Sequence, residues 1–251
     1  MLRIILFFCV LLISMNGFCQ VSGPDSGSEE KKPLSWGFDT DINTKYVWRG
    51  ITINDGLVIQ PDFWASYGNF SGGLWGNLTA YDRFNTAKGH EVDVYLAYDY
   101  TIGKFEINHT AMVYFFPTQD DVPNTGELYT GAGYPINDFK LTTTVAFDFI
   151  AYFGSLYFEH GVEYGKALSD KISIGSSALL SWASGKFNGS YFGINQTMFN
   201  LFSLDLNMTY NPWGTVFFKP HVQVSRTLDK ELIPVIGKFP WFVGLMIGFQ
   251  K

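Results

Sequence analysis

Charged side chains in this sequence alternate with apolar ones, and their spacing suits the wall of a water-filled path. Over residues 38–49 the odd positions include Asp39, Asp41, Lys45 and Arg49, whereas the even positions are mostly apolar or aromatic. Successive side chains of a β-strand point to opposite faces, so this spacing places the charges on one face. Inside a closed barrel, such a row of charges would contact hydrated solutes and influence whether the lumen favours cations or anions.

The same alternation recurs along the chain and predicts a set of lumen-lining positions. Carboxylates outnumber basic groups in this polar phase, so a wet lumen would favour cations through its local potential. The predicted lumen-lining residues are Asp39, Asp41, Lys45, Arg49, Asp62, Asp93, Asp99, Glu106, Asp148, Glu159, Glu163 and Asp205. The alternative is that these charges pair across strands and fill the barrel, with Arg49 bridging a neighbouring carboxylate such as Asp62.

Bulky aromatic residues fall in the same phase as the charges. They are Trp64, Trp75, Tyr81, Tyr95 and Tyr114. They suit either a stacking platform for sugars or nucleobases or a set of rings that occlude the lumen. The sequence leaves both interpretations open.

The four histidines are candidate catalytic groups, because some outer-membrane barrels hydrolyse lipids with a histidine and a nearby serine. None of His90, His109, His160 and His221 is followed two residues later by serine. His109 and His160 fall in the apolar phase, where polar side chains are unexpected. A hidden hydrolase site and a histidine beside the membrane interface are both open, and no cluster indicates a metal site.

Period-two alternation over most of the chain predicts an all-β fold, an up-and-down antiparallel transmembrane barrel of about twelve strands. Short turns alternate with mostly longer loops, which is the arrangement of outer-membrane barrels. The predicted strands are 35–49, 57–67, 72–80, 92–100, 105–115, 127–134, 139–149, 156–164, 172–182, 202–210, 216–224 and 241–249.

Barrel size decides which face points outward. About eight strands already enclose only as much space as side chains can fill, and wider barrels enclose a cavity. Twelve strands with an apolar interior would leave a large dry void. The sequence therefore predicts that the apolar phase faces lipid and the polar phase faces a hydrated lumen, with closure satisfying every backbone group.

Composition narrows the function classes. Charged residues make up 16% of the 251 residues, aromatic residues 18%, and the net charge is -6. The mean hydropathy of +0.06 is too low for a bundle of transmembrane helices. The acidic balance argues against a nucleic-acid surface, which requires clustered lysine and arginine.

The N-terminal segment predicts export. Arg3 precedes a short apolar run, and Gly17 and Cys19 are small residues suited to cleavage before Gln20. Lipidation at Cys19 is the weaker alternative, because Phe18 is bulky. The predicted domains are a signal peptide at 1–19, a flexible periplasmic tail at 20–34 and a barrel at 35–251. Both cysteines, Cys9 and Cys19, lie within 1–19.

The segment Thr44-Lys45-Tyr46-Val47-Trp48-Arg49-Gly50 resembles the Y-V-[FW]-R-G signature of the TorF-type porins. The stretches Gln60-Pro61-Asp62-Phe63 and Gly73-Leu74-Trp75-Gly76-Asn77 look like the next two strands of that family. The resemblance covers about the first fifty barrel residues. It implies an outer-membrane channel in a Gram-negative bacterium, and it names no solute.

These observations favour a porin-like channel in the cell outer membrane for passive diffusion of small hydrophilic solutes, with a possible cation preference. A plugged structural or interaction barrel is the first alternative. A lipid-modifying enzyme and a soluble lipocalin-like binder are the others, and the leading hypothesis is non-enzymatic. The expected partners are outer-membrane lipid and small solutes, without nucleic acid or cofactor. The sequence leaves the oligomeric state open.

Overall fold

The computed structural model describes residues 34–83 and 90–251. Within these ranges the chain forms fourteen strands and two short helices. They are β1 (Ser35–Asn43), β2 (Tyr46–Trp48), β3 (Ile51–Asn54), β4 (Val58–Tyr67), β5 (Phe70–Thr79), β6 (Glu91–Ile102), β7 (Phe105–Phe115), β8 (Thr125–Ile136), β9 (Phe139–Asp148), β10 (Leu156–Ala167), β11 (Ile172–Ala183), α1 (Gly185–Phe192), β12 (Met198–Tyr210), β13 (Val216–Thr227), α2 (Ile233–Ile236) and β14 (Trp241–Gln250). The predicted signal peptide at 1–19 and all but the last residue of the predicted tail at 20–34 lie outside the described residues.

Twelve of the described strands close into one antiparallel barrel, which confirms the predicted fold class. Each strand pairs with its neighbours in the chain, and β1 closes the wall by pairing with β14 on one side and β4 on the other. The register is regular around most of the wall, for example Phe38 opposite Phe249 and Phe63, and it shifts once between β11 and β12, at Ser181 and Trp182. Closure leaves no edge strand in the wall, as a lipid environment requires.

The wall has its apolar side outward and its polar side inward. Leu74 and Leu96 expose 52% and 59% of their surface on the outside, whereas Asp41 and Asn77 are buried inside. Strands β1 and β6 alternate between exposed and buried positions along most of their length. Such an exposed apolar wall is matched to lipid rather than to water.

Five tight turns join described strands at one end of the barrel, and four of them contain a residue with positive φ. Gly68, Gly103, Asn137 and Gly214 adopt positive φ there, at 65°, 62°, 54° and 81°. Glycine and asparagine tolerate this conformation best, which is why the turns could be recognised from sequence. The longer connections at the other end carry β2, β3, α1 and α2. By comparison with outer-membrane barrels, we call the tight-turn end periplasmic and the other end extracellular.

The first predicted strand, 35–49, is interrupted. The wall strand β1 ends at Asn43, and the chain then leaves the wall to form the separate β2–β3 hairpin. Tyr46 and Trp48 were expected on the lipid side in phase with Trp36. Instead Tyr46 is buried, and Trp48 packs against Phe187 with ring centroids 6.1 Å apart. The alternation in the sequence continues through the break, so it gave no sign of the change in direction.

Gly73 on β5 is predicted to be essential for packing inside the barrel. A Cβ at this position would lie 2.4 Å from the backbone oxygen of Phe63 and 2.5 Å from the hydroxyl of Tyr95. We expect Gly73→Ala to displace the Tyr95 ring and to lower the free energy of unfolding by about 1–3 kcal/mol, as overpacking does. The midpoint of urea unfolding in detergent, followed by tryptophan fluorescence, measures this change.

Gly76 on the same strand is the matched control. A Cβ there would have its nearest contacts at 3.4 Å and 4.0 Å, so the alanine side chain fits. We expect Gly76→Ala to shift the unfolding midpoint only slightly. Equal shifts for the two variants would contradict the assigned role of Gly73.

Candidate functional site

The β2–β3 hairpin enters the extracellular half of the lumen. Its turn consists of Arg49 and Gly50, with φ of 48° and 85°. Two consecutive positive φ values are typical of the tight type I′ hairpin turn, in which glycine is favoured and arginine is unusual. The turn directs the Arg49 side chain away from solvent, and this residue is 4% exposed.

Arg49 forms a two-pronged ion pair with Glu127 of strand β8. Its Nη1 and Nη2 atoms donate to Oε1 and Oε2 of Glu127 at 2.8 Å and 3.0 Å. The hydroxyl of Tyr114 donates to Glu127 at 2.9 Å, and that of Tyr129 donates to the same carboxylate. Two charge-assisted hydrogen bonds therefore fasten the hairpin to the far wall, and the two tyrosines hold the accepting carboxylate in place from the wall strands β7 and β8.

Aromatic rings enclose the guanidinium group of Arg49. Its central carbon lies 4.3 Å from the ring centroid of Tyr157, 4.6 Å from that of Trp48 and 5.0 Å from that of Phe187. Phe187 belongs to helix α1, which Ser184 caps by accepting from the Phe187 amide. Cation–π contacts compensate part of the desolvation of the arginine.

A third segment covers the hairpin turn from the extracellular side. The α2 region contributes the buried side chains Leu232 and Ile236. A Cβ on Gly50 would lie 2.9 Å from Ile236 and 3.1 Å from Leu201, so the turn packs closely against this cover. We use the name plug for the β2–β3 hairpin, α1 and the α2 segment together, at residues 44–57, 184–197 and 228–240.

Tyrosines of α1 and of the β9–β10 loop complete the extracellular end. The rings of Tyr152 and Tyr191 lie 4.8 Å apart. Burial raises the pKa of both hydroxyl groups, and nearby carboxylates add to the effect. Both tyrosines are therefore neutral hydrogen-bonding groups at any physiological pH.

Carboxylates line the barrel on the periplasmic side of the hairpin. Asp39 and Asp62 are direct cross-strand partners on β1 and β4. Tyr95 donates to Asp62 at 3.2 Å, and His221 lies 2.9 Å from Asp41. Among the described residues, eight carboxylates are buried, against two basic side chains, Arg49 and Lys219. The inner wall therefore has a strong excess of acidic groups.

The sequence-predicted lumen residues occupy three kinds of position. Buried on the inner wall are Asp39, Asp41, Asp62, Asp93, Asp148 and Asp205. Partly exposed on the inner face are Asp99, Glu159 and Glu163. Glu106 is exposed at the periplasmic end, where Lys140 lies 3.4 Å from both Glu106 and Glu163.

Three sequence-based assignments differ from the structure. Lys45 lies at the extracellular rim, where it pairs with Asp55 at 2.6 Å and covers the outward-facing Trp241. Arg49 lies in the hairpin turn instead of a wall strand, and its partner is Glu127, not Asp62. Tyr81 is 61% exposed in a connection rather than placed in the lumen. The first two differences have one cause, since both residues follow the break at Asn43.

The inner face is open to solvent mainly along β9, β10 and β11. The inward residues there are partly exposed, whereas those of β1 and β4 are mostly buried. The partly exposed set is Thr142, Thr144, Glu159, Glu163, Ser173 and Ser177. Towards the extracellular end, Tyr157 and Ser181 on the same strands are buried beneath the plug. A partly solvent-accessible inner face, lined by hydroxyl and carboxylate groups, therefore lies along β9–β11 between the periplasmic end and the plug.

Solved structures with a similar fold include two porins. A KdgM porin in complex with disordered oligogalacturonate has 11% sequence identity and a TM-score of 0.50, over 86% of this chain and 97% of that chain. A NanC porin has 7% identity and a TM-score of 0.55, over 84% of this chain and 98% of that chain. At such low identity the likeness establishes the fold of the barrel.

No protein-family model matches the chain, and no curated protein sequence matches it. The resemblance to the TorF-type porins therefore remains a hypothesis based on the quoted residues. No helix in the described ranges is long and apolar enough to span a membrane.

Sequence reasoning missed Glu127, Tyr129, Glu91 and Phe187 as site residues. Glu127 stands in the glycine-rich stretch Gly126–Gly133, where alternation is weak. Glu91, whose carboxylate accepts from Tyr46 at 2.9 Å, directly precedes a predicted strand. The alternation of the strand was the available signal: because Leu128 is in the outward phase, its neighbour Glu127 is in the inward phase.

Proposed function

We propose that this protein is a channel of the cell outer membrane that passes small hydrophilic solutes and prefers cations. The observation that supports it is the partly solvent-accessible inner face of β9–β11, lined by hydroxyl groups and by Glu159 and Glu163. We further propose that the plug narrows its extracellular end and sets the size of solute that passes. Passive diffusion needs no cofactor.

The membrane location in this proposal rests on the outward face and on the N-terminal segment. The exposed apolar side chains of the wall would be unstable in water and are stable in hydrocarbon. The predicted signal peptide at 1–19 would direct export, although it lies outside the described residues. Short turns at one end and long connections at the other agree with this location.

The proposed solute class follows from charge. An oligogalacturonate, which accompanies the similar KdgM porin, carries one carboxylate per sugar. The partly exposed Glu159 and Glu163 on an otherwise acidic inner wall would repel such a polyanion. Small cations and neutral solutes suit this lumen better.

Planar lipid bilayers provide the test. Purified full-length protein is expected to give discrete conductance steps, and a salt gradient is expected to give a reversal potential with the sign of cation preference. The physical reason is the accumulation of cations in a carboxylate-lined path. Folded protein that leaves the bilayer silent would contradict the channel, and an anion-preferring reversal potential would contradict the charge argument.

A plugged structural barrel is the second candidate, and the filled extracellular half favours it. The Arg49–Glu127 pair and its aromatic surroundings leave both ionic side chains almost without solvent contact. The two candidates differ in one observable, since a permanently plugged barrel conducts neither before nor after the plug is released. Silence of both the unmodified protein and a plug-release variant would favour the structural barrel.

The geometry of His160 argues against a threonine-dependent hydrolase at that position. The Trp182 indole nitrogen donates to Nε2 of His160 at 3.3 Å, and Nδ1 lies 2.9 Å from the Thr143 hydroxyl. An indole N–H can only donate, so the proton of the neutral ring is on Nδ1 and points to Thr143. In that tautomer His160 cannot accept a proton from Thr143, as nucleophile activation requires.

A further inference from the structure

Two of the described histidines, His109 and His160, face outward from the barrel wall. His109 contacts the Tyr100 hydroxyl at 3.3 Å and the Thr130 hydroxyl at 3.1 Å. His160 contacts Thr143 and Trp182 in the same manner. Ionisable residues in contact with lipid are rare and mark functional positions. A channel lumen makes no use of them, so they need another explanation.

Small side chains lie beside the two histidines on the outside of β7–β11, together with the larger exposed groups Leu128, Leu141 and Val162. In the register of these strands the small side chains share the outward face with His109 and His160. We use the name small-polar face for His109, Ala111, Thr130, Ala132, Thr143, His160, Ser176 and Ala178. The adjacent strand β12 carries large apolar groups on its outward face, namely Leu204, Leu206 and Met208, and β14 carries Val243 and Leu245.

The small-polar face is arranged nearly symmetrically about the line between β8 and β9. On one side His109 of β7 meets Thr130 of β8, and on the other His160 of β10 meets Thr143 of β9. His109 is the fifth residue of β7 and Thr143 the fifth of β9, and both strands start at the periplasmic end. The two histidine–threonine pairs therefore lie at about the same depth.

We propose that the small-polar face is the interface of a two-fold symmetric dimer of this chain in the membrane. A two-fold axis along the membrane normal, beside β8 and β9, brings His109 of one copy opposite His160 of the other. An isologous interface must be self-complementary in this way. The proposal rests on the membrane location in the proposed function and is independent of whether the lumen conducts.

A second copy fits this face better than lipid does. Each imidazole already has two polar partners within its own chain, and an identical face adds donors and acceptors that acyl chains lack. Small side chains also let two walls approach closely, which drives association where no hydrophobic effect operates.

Cysteine cross-linking tests the dimer, because both cysteines of the sequence precede residue 20. Ala132→Cys places a thiol on β8 next to the expected axis, and Leu204→Cys places one on the outward face of β12 as the matched control. Oxidation of outer membranes should convert Ala132→Cys to a disulfide-linked species of twice the monomer mass and leave Leu204→Cys monomeric. No dimer from Ala132→Cys, equal dimer from both variants, or an adduct of another mass would overturn the proposal.

A second variant tests the polar contacts. His160→Leu in the Ala132→Cys background should reduce the cross-linked fraction severalfold, and an unchanged fraction would count against the histidine pairing. The heat-dependent shift of the folded barrel on gels verifies folding, and cell fractionation verifies the membrane location. A folded, membrane-located protein without cross-linking overturns the dimer alone. A folded protein in the soluble fraction overturns both the dimer and the proposed function.

Discussion

Replacing Glu127 with alanine is expected to release the plug and raise the single-channel conductance. The change leaves the guanidinium group of Arg49 buried without its carboxylate, and breaking a buried ion pair on one side costs about 3–5 kcal/mol. A loss of that size shifts a docked segment to a mostly undocked population. Single-channel recording measures the conductance, and limited proteolysis of the β2–β3 hairpin measures its release.

Two further variants distinguish the effect of losing the buried ion pair from general damage to the fold. In Arg49→Met with Glu127→Leu both charges are removed, so no uncompensated charge remains and the plug should stay largely docked. Lys45→Ala breaks the pair with Asp55 at the barrel rim, and Asp55 keeps Arg83 at 3.7 Å as a second partner, so no carboxylate is left without a counter-charge. Its conductance should match that of the unmodified protein. An intact barrel with Glu127→Ala and unchanged conductance would contradict the role assigned to Glu127.

The wall of the barrel could be predicted from the sequence, because the surroundings of each wall position determine whether its side chain is polar or apolar. Each wall position faces either lipid or the interior, and strand geometry makes these alternate. The predicted bounds 105–115 agree with β7, and 139–149 differs from β9 by one residue. Turn residues such as Asn137 and Gly214 gave the remaining boundaries through their need for positive φ.

The plug could not be predicted, because it follows no repeating pattern. Its hairpin keeps the alternation of β1, so Tyr46 and Trp48 have the parity of lipid-facing residues although they lie inside. The decisive contact joins Arg49 to Glu127, which are 78 positions apart. Contacts of this kind depend on how loops fold back into a barrel, and a single sequence contains no local signal for them.

The buried and the partly exposed acidic residues of the barrel have different surroundings, which indicates different roles. The buried acidic residues near the hairpin are held by specific partners, for example Asp62 by Tyr95 and Asp41 by His221. Glu159 and Glu163 lie on the partly solvent-accessible inner face of β10, with Lys140 3.4 Å from Glu163, and a solute would meet them there. Selectivity should therefore depend more on the two glutamates of β10 than on the more numerous buried aspartates.

Neutralising both glutamates, by Glu159→Gln with Glu163→Gln, is expected to weaken the cation preference of the channel. A unit charge about 6 Å from a passing ion in water contributes roughly 0.7 kcal/mol, or about a threefold change in local ion concentration. The reversal potential in a salt gradient measures the change. Glu231→Gln, in the exposed extracellular segment, is the control and should leave that potential unaltered. In this proposal the charges on the partly accessible inner face attract cations into the lumen. An unchanged reversal potential in the double variant would therefore show that other residues set the selectivity.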